Sequence, residues 1–281
     1  MQEQAVRTSP FELRLSDGGI IRGEVRITDS GARKPAVLIA HGFKGFKDWG
    51  FLPYAAERLA QAGFYVVTFN FSRNGVSEGQ EFDELNKFGL NTYSREQADL
   101  ELVVAALIRR ELPHHDKADA KRLAICGHSR GGGNALLFAA EHPLIRAAVS
   151  WNGIAVANLF EAGFEAQARR DGVAYVPNAR TGQQMPIRKE FFEDIDANAE
   201  RFDIPARLAS LNIPVLLIQG DQDIPKLLEA FQTLKEAAPE QQSLLLEGTG
   251  HTFGTVHPFS GTTDSLEAAL DTTIEFLQQK L

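Results

Sequence analysis

A serine hydroxyl is a useful nucleophile only when it projects into open space with a base in hydrogen-bond reach. Ser129 sits in "GHSRG", Gly127 to Gly131, where the apolar run "RLAICG" gives way to a helical pattern. A tight strand-to-helix turn would expose that hydroxyl, and a glycine on each side permits one. The helix that follows would aim its free N–H groups at the same place. A structural turn serine is the competing reading; the strand before and the helix after favour the nucleophile.

A nucleophilic serine needs a histidine, and the chain has seven. His41, in "IAHGF", and His128, beside the serine, read as structural. His114 and His115 fall in the polar connection "LPHHDKAD", and His142 reads as a helix-end residue. His251 follows the strand pattern "SLLLEG" by a short loop, which brings it to the carboxyl edge of a sheet, where sites form. His257, before Pro258, reads as a loop or capping residue. The carboxylate that orients the base should also leave a strand end, and "LLIQGDQD" offers Asp221 and Asp223. Such a group holds the imidazole tautomer and stabilises the charge that develops on it. Asp221 could instead shape the turn as an Asx residue, and position alone leaves both open.

These residues must be held by alternating strands and helices. "FELRLSDGGIIRGEVRI" reads as a hairpin around an Asp-Gly-Gly turn. Buried-strand candidates follow at 35–40, 64–71, 122–127, 147–151, 214–220 and 243–248. Helical periods such as "LPYAAERLAQAG", "SREQADLELVVAALIRREL" and "IPKLLEAFQTLKEAAP" lie between them, and a last helix spans about Thr262 to Lys280. This alternation predicts an α/β fold with a mainly parallel sheet and helices on both faces. From 152 to 212 no strong buried strand appears, so residues 1–151 and 213–281 are expected to form the core and 152–212 a cap insertion over the sheet. Phe43, Phe46, Trp49, Phe160, Phe164, Tyr175, Phe191 and Phe192 are candidates for an apolar pocket between the two.

The 281 residues are 43% hydrophobic and 23% charged, an ordinary globular composition. A formal net charge of -8 disfavours a nucleic-acid partner, which would need clustered Lys and Arg. The opening "MQEQAVRTSPFELRL" lacks the pattern of a secretory leader, and no run approaches a membrane span, so a cytoplasmic location without membrane association is expected. The lone Cys126 excludes an internal disulfide and reads as a buried small residue. No motif calls for a metal, nucleotide or other cofactor. A small-molecule partner is expected, and a homodimer is compatible with this reading.

With "AHGF", "GHSRGG", "GDQD" and "GTGH" in this order, the sequence resembles the α/β-hydrolase fold serine hydrolases over nearly its whole length. It is most similar to bacterial cinnamoyl or feruloyl esterases and to dienelactone-hydrolase-like proteins. The resemblance implies an eight-stranded, mostly parallel sheet and a triad of Ser129, His251 and Asp223, the second aspartate of "GDQD". It also implies an oxyanion hole formed by the backbone N–H groups of Phe43 and Arg130. The implied reaction is hydrolysis of carboxylic esters of small or aromatic acyl groups through an acyl-enzyme. Thioester, lactone or amide cleavage, or a small-molecule receptor on the same fold, stay open. Arg130 departs from the neutral residue common after the serine. Its cation should find a compensating carboxylate, expected in "FEDID" of the insertion or at Asp83 or Glu84, or else recognise an acidic substrate group.

Overall fold

Runs such as "AVLIA" and "YVVTF" are apolar at every position, which suits strands covered on both faces. In the computed structural model, which describes residues 5–29 and 31–281, they form the middle of an eight-stranded sheet. Residues 1–4, part of the stretch read above for a leader, lie outside the described residues. The strands begin with β1 (Val6–Arg14), β2 (Ile20–Thr28), β3 (Lys34–Ala40), β4 (Tyr65–Asn70), β5 (Ala118–His128) and β6 (Ile145–Trp151). Then come β7 (Val173–Pro177) and β8 (Gln184–Arg188), which pair only with each other, and finally β9 (Val215–Gly220) and β10 (Gln242–Leu246).

The spatial order of the main sheet is β1-β2-β4-β3-β5-β6-β9-β10. All neighbours from β4 to β10 are parallel, while β2 joins β4 antiparallel and β1 pairs with β2 as a hairpin. The chain runs from β3 to β4 on one side and then back across β3 to β5. The loops that leave β3 and β5 therefore diverge, and the crevice between them is where an α/β sheet binds its ligand.

The helices are α1 (Leu52–Gln61), α2 (Leu85–Gly89), α3 (Tyr93–Ile108), α4 (Arg130–Glu141), α5 (Ala162–Asp171), α6 (Lys189–Ala197), α7 (Ile204–Ala209), α8 (Pro225–Ala237) and α9 (Asp264–Lys280). Strand side chains alternate between the faces. Val37, Ile39, Val66 and Val149 pack under α1 and α9 with Leu59, Leu266 and Leu270. Leu38, Val67, Ile125 and Leu217 face the other way, toward Leu100, Leu136 and Leu234 of α3, α4 and α8. Truncating one of these buried leucines to alanine costs about 2–5 kcal/mol, because neighbours refill the space only in part. No helix among the described residues is long and apolar enough to cross a membrane.

Between β6 and β9 the chain forms α5, the β7–β8 hairpin, α6 and α7. The hairpin was not legible as strands: its residues range from buried to exposed, with Tyr175 55% exposed, so no apolar run marks it. It leans on the loops after β3 and β4. Lys44 Nζ donates to Pro177 O at 3.1 Å, and Gln183 Nε2 donates to Phe82 O at 2.9 Å.

Candidate active site

Ser129 joins β5 directly to α4 with φ 59 and ψ −121, a conformation a non-glycine residue adopts only under constraint. Two features impose it. The Ser129 amide donates to Trp151 O at 2.8 Å, which pins the turn to β6. The flanking glycines let backbone meet backbone: a Cβ on Gly127 would stand 2.0 Å from Gly131 O, and one on Gly131 would stand 2.3 Å from Ala40 O. The turn is thus wedged between β3 and its own helix. Thr92, Asp203 and Thr263 cap α3, α7 and α9 with side-chain oxygens, but α4 has no side-chain cap. Gly132 and Gly133 bond back to Ser129 O at 2.9 and 3.3 Å, while the first N–H group, that of Arg130, has no acceptor among the described residues and stays available to a ligand. The Phe43 amide, on the loop after β3, likewise has no acceptor among the described residues.

His251 lies beyond β10 and Asp223 beyond β9, and His251 Nδ1 meets Asp223 Oδ2 at 2.8 Å. Asp223 also accepts from Gln219 Nε2 at 3.0 Å and from the Ile224 amide at 2.8 Å. Burial alone would raise its carboxyl. The hydrogen bond and charge of His251, with these donors, outweigh burial and hold it below the usual carboxylate range. Asp221 instead accepts the Gly248 amide at 2.7 Å and shapes the turn, so the two aspartates of "GDQD" have separate tasks.

Two residues at the ends of other strands, Asn152 just past β6 and His128 closing β5, hold the backbone of His251, and sequence reasoning missed this use of both. Asn152, fully buried and with φ 46, donates from Nδ2 to His251 O at 2.7 Å and accepts the Gly220 amide at 2.8 Å. It ties the loop of the aspartate to the loop of the histidine. His128 Nε2 lies 2.7 Å from the same His251 carbonyl, so that nitrogen carries the proton and donates. Burial first, and the neighbouring His251 ring second, push the His128 imidazole down to about 3, so it stays neutral. His257 accepts the Gly50 amide through Nδ1 at 2.9 Å and stacks on Trp49.

Arg130 corrects an expectation. Its carboxylate partner comes neither from the insertion nor from Asp83 or Glu84 but from α3, where Glu96 Oε2 lies 3.0 Å from Arg130 Nε. Both side chains are buried, 7% and 5% exposed, and the guanidinium lies 4.2 Å from the Tyr93 ring centroid and 5.1 Å from that of Phe191. Asn91 and Asn134 donate further hydrogen bonds to Glu96. A charged residue on the inward face of an otherwise amphipathic helix was the available signal. It was overlooked because the position reads equally as one of the solvated charges in "SREQADLELVV".

The cleft has two arms that share Ser129, His251, Phe43 and Lys44. One, of about 440 Å³, is walled by Tyr93, Phe160, Phe191, Leu159 and Leu227 and reaches Arg130 and Asp223. The other, of about 350 Å³, is lined by Trp49, His128, Asn178, Arg180 and His257 among others. All five expected site residues therefore border one cleft. Of the eight candidate aromatics, Phe43, Phe160, Phe191 and Trp49 line it, whereas Phe46, Phe164, Tyr175 and Phe192 do not.

The chain is similar to several known proteins. An uncharacterized 31.7 kDa protein of the traX-finO intergenic region of Escherichia coli is 23% identical over 265 residues, 83% of this chain and 87% of its own length. Cutinase 1 of Thermobifida cellulosilytica is 24% identical over 155 residues, 52% of this chain and 53% of the cutinase. The ferulic acid complex of Est1E from Butyrivibrio proteoclasticus superposes with a TM-score of 0.70 at 18% identity, covering 96% of this chain and 98% of the other. A sequence model of the Dienelactone hydrolase family matches residues 22–182, which span the loop after β3, the Ser129 turn and the β7 strand, and the chain belongs to that hydrolase family.

Proposed function

We propose that the protein is a serine hydrolase of carboxylic esters, with Ser129, His251 and Asp223 as its triad. The observation that carries this reading is the strained Ser129 turn sharing a cleft with the His251–Asp223 pair. Membership of a hydrolase family and the similarity to cutinases support ester or lactone cleavage. Asp223 accepts the Nδ1 proton of His251 and leaves Nε2 free as the base. As Ser129 Oγ attacks the ester carbonyl, its proton passes to Nε2. The negative charge that develops on the carbonyl oxygen is met by the Phe43 and Arg130 amides, each such donor being worth about 10²–10³ in turnover. Collapse breaks the bond to the alcohol, which leaves with the Nε2 proton. A water deprotonated by the same nitrogen then attacks the acyl-serine, and the acid leaves as Ser129 regains its proton.

The test is turnover of p-nitrophenyl acyl esters of increasing length, with methyl hydroxycinnamates, by the wild type and by Ser129→Ala. Serine-dependent hydrolysis is expected, with the variant slower by about 10⁴-fold or more. Equal rates in both proteins, with the variant folded, would overturn the assignment. A fluorophosphonate should label Ser129 and leave the variant unlabelled.

A further inference from the structure

We infer that the Trp49 arm of the cleft binds an uncharged, oxygen-bearing part of the ester, an ether, hydroxyl or carbonyl, through N–H donors of His257, Trp49 and Asn178. The inference rests on the hydrolase reading and adds to it what the substrate presents beside the scissile bond. Apart from Ser129 and His251, the polar side chains lining this arm are Lys44, Trp49, His128, Asn178, Arg180 and His257. Three of them already donate to backbone carbonyls: Lys44 Nζ to Pro177 O at 3.1 Å, Arg180 Nη2 to Gln80 O at 3.3 Å and His128 Nε2 to His251 O at 2.7 Å. The other three carry donors that no protein acceptor meets among the described residues.

The protein itself sets the heading of each of these donors. His257 Nδ1 accepts the Gly50 amide at 2.9 Å, so in the neutral ring the proton sits on Nε2. Burial first, and the Arg180 charge second, outweigh Glu81 and hold this imidazole below its usual range, so the ring is neutral near pH 7. Asn178 Oδ1 accepts the Arg180 amide at 3.1 Å, which leaves Nδ2 as the free end of the side chain. The residue is 6% exposed, and Nδ2 is buried without a partner. The Trp49 indole lies within 14° of the His128 ring plane and 6° of the His257 plane, with centroids 6.2 and 5.8 Å away. These stacks fix the ring, and its Nε1–H meets no acceptor. Buried polar groups are ordinarily hydrogen-bonded, tryptophan N–H groups included. Here all three are neutral donors, so an acceptor oxygen completes them without burying a charge. A hydrocarbon chain in the same place would leave them unmet, at a desolvation cost.

Two pairs of uncharged esters of matched length test the donors and find which side of the ester they serve. On the alcohol side, 2-(2-methoxyethoxy)ethyl butyrate is compared with heptyl butyrate. On the acyl side, phenyl 2-(2-methoxyethoxy)acetate is compared with phenyl heptanoate. Each ether oxygen replaces a methylene and gives up its apolar burial, so a preference for the ether requires donors. With each kcat/KM normalised to the ester's alkaline hydrolysis, the ether of one pair should be preferred by about fivefold, the scale of one neutral hydrogen bond. In the His257→Phe, Trp49→Phe double variant, which keeps aromatic rings and removes two N–H groups, the preference should fall to one or below. The ratio within a pair is blind to a general loss of activity, so a merely structural role would not move it. An alkyl ester cleaved as well as or better than the ether in both pairs, or a preference that survives the double substitution, would overturn the inference while leaving the hydrolase intact. If none of the four is cleaved in a Ser129-dependent way, the hydrolase reading fails. The donors are then decided by tryptophan quenching with 4-hydroxyacetophenone against 4-isopropylphenol, which differ in one acceptor oxygen. Tighter binding of the ketone supports the inference, and equal or weaker binding overturns it.

Discussion

Replacing Glu96 by alanine should damage the protein more than any surface carboxylate would. In the native state Glu96 faces Arg130 at 3.0 Å with both side chains nearly inaccessible, so the substitution strands a guanidinium away from water. Its remaining neighbours are the rings of Tyr93 and Phe191, which interact with a cation far more weakly than a carboxylate does. Asn91 and Asn134 lose an acceptor at the same time. Removing one member of a buried ion pair costs about 3–5 kcal/mol. For a chain of this size that corresponds to a fall in Tm on the order of 10 °C. The assay is a double-mutant cycle by chemical denaturation with Glu96→Ala, Arg130→Met and the combination. Arg130→Met keeps the backbone N–H and removes the cation, so the double variant should be more stable than the sum of the single losses predicts, by about 2 kcal/mol or more. Simple additivity, or a loss below about 1 kcal/mol for Glu96→Ala, would refute the claim that Glu96 compensates the buried Arg130 cation.

Asp223→Asn should lower kcat by about 10⁴-fold with little change in KM, because an amide can hold the imidazole in the wrong tautomer; steady-state kinetics beside circular dichroism separates this from misfolding. Gly131→Ala should abolish folding or activity, since its Cβ would overlap Ala40 O at 2.3 Å, and soluble expression with a melting curve checks it. Asn152→Ala should slow fluorophosphonate labelling of Ser129, because His251 loses one of the two donors to its carbonyl; labelling at the wild-type rate would show that His128 alone suffices. Stability against pH carries opposing contributions. The folded His128 refuses a proton that the unfolded chain accepts between about pH 6.5 and 3, so stability falls with acid there by about 1.4 kcal/mol per pH unit. Burial, working against the bonds from Ser72, raises Asp99 to about 7, so the folded chain keeps a proton that the unfolded chain releases above about pH 4, and stability falls as pH rises toward 7. Asp99→Asn removes the second contribution, and its urea-unfolding free energy should rise more steeply with pH between 4 and 7 than that of the wild type.

What the sequence determined by itself is the part of the protein encoded locally. All-apolar runs specified the parallel strands because a strand covered on both faces has no polar side to show, and β3, β4, β5, β6 and β9 followed. The Ser129 turn was legible because a strand, a glycine-flanked serine and a helix are contiguous, and the ends of β9 and β10 placed Asp223 and His251 near one sheet edge. Spacing alone left Asp221 and Asp223 equivalent. The fold separates them, since one points at the Gly248 amide and the other at His251 Nδ1. The tertiary structure alone decided the contacts between residues far apart in the chain. Glu96 and Arg130 are 34 residues apart, and Asn152 and His251 are 99 apart. Lys44 and Pro177 are 133 residues apart, and they meet because the β7–β8 hairpin folds back over the loop after β3. A side chain's partner at such distances depends on how strands and helices stack, and neither periodicity nor turn chemistry carries that information.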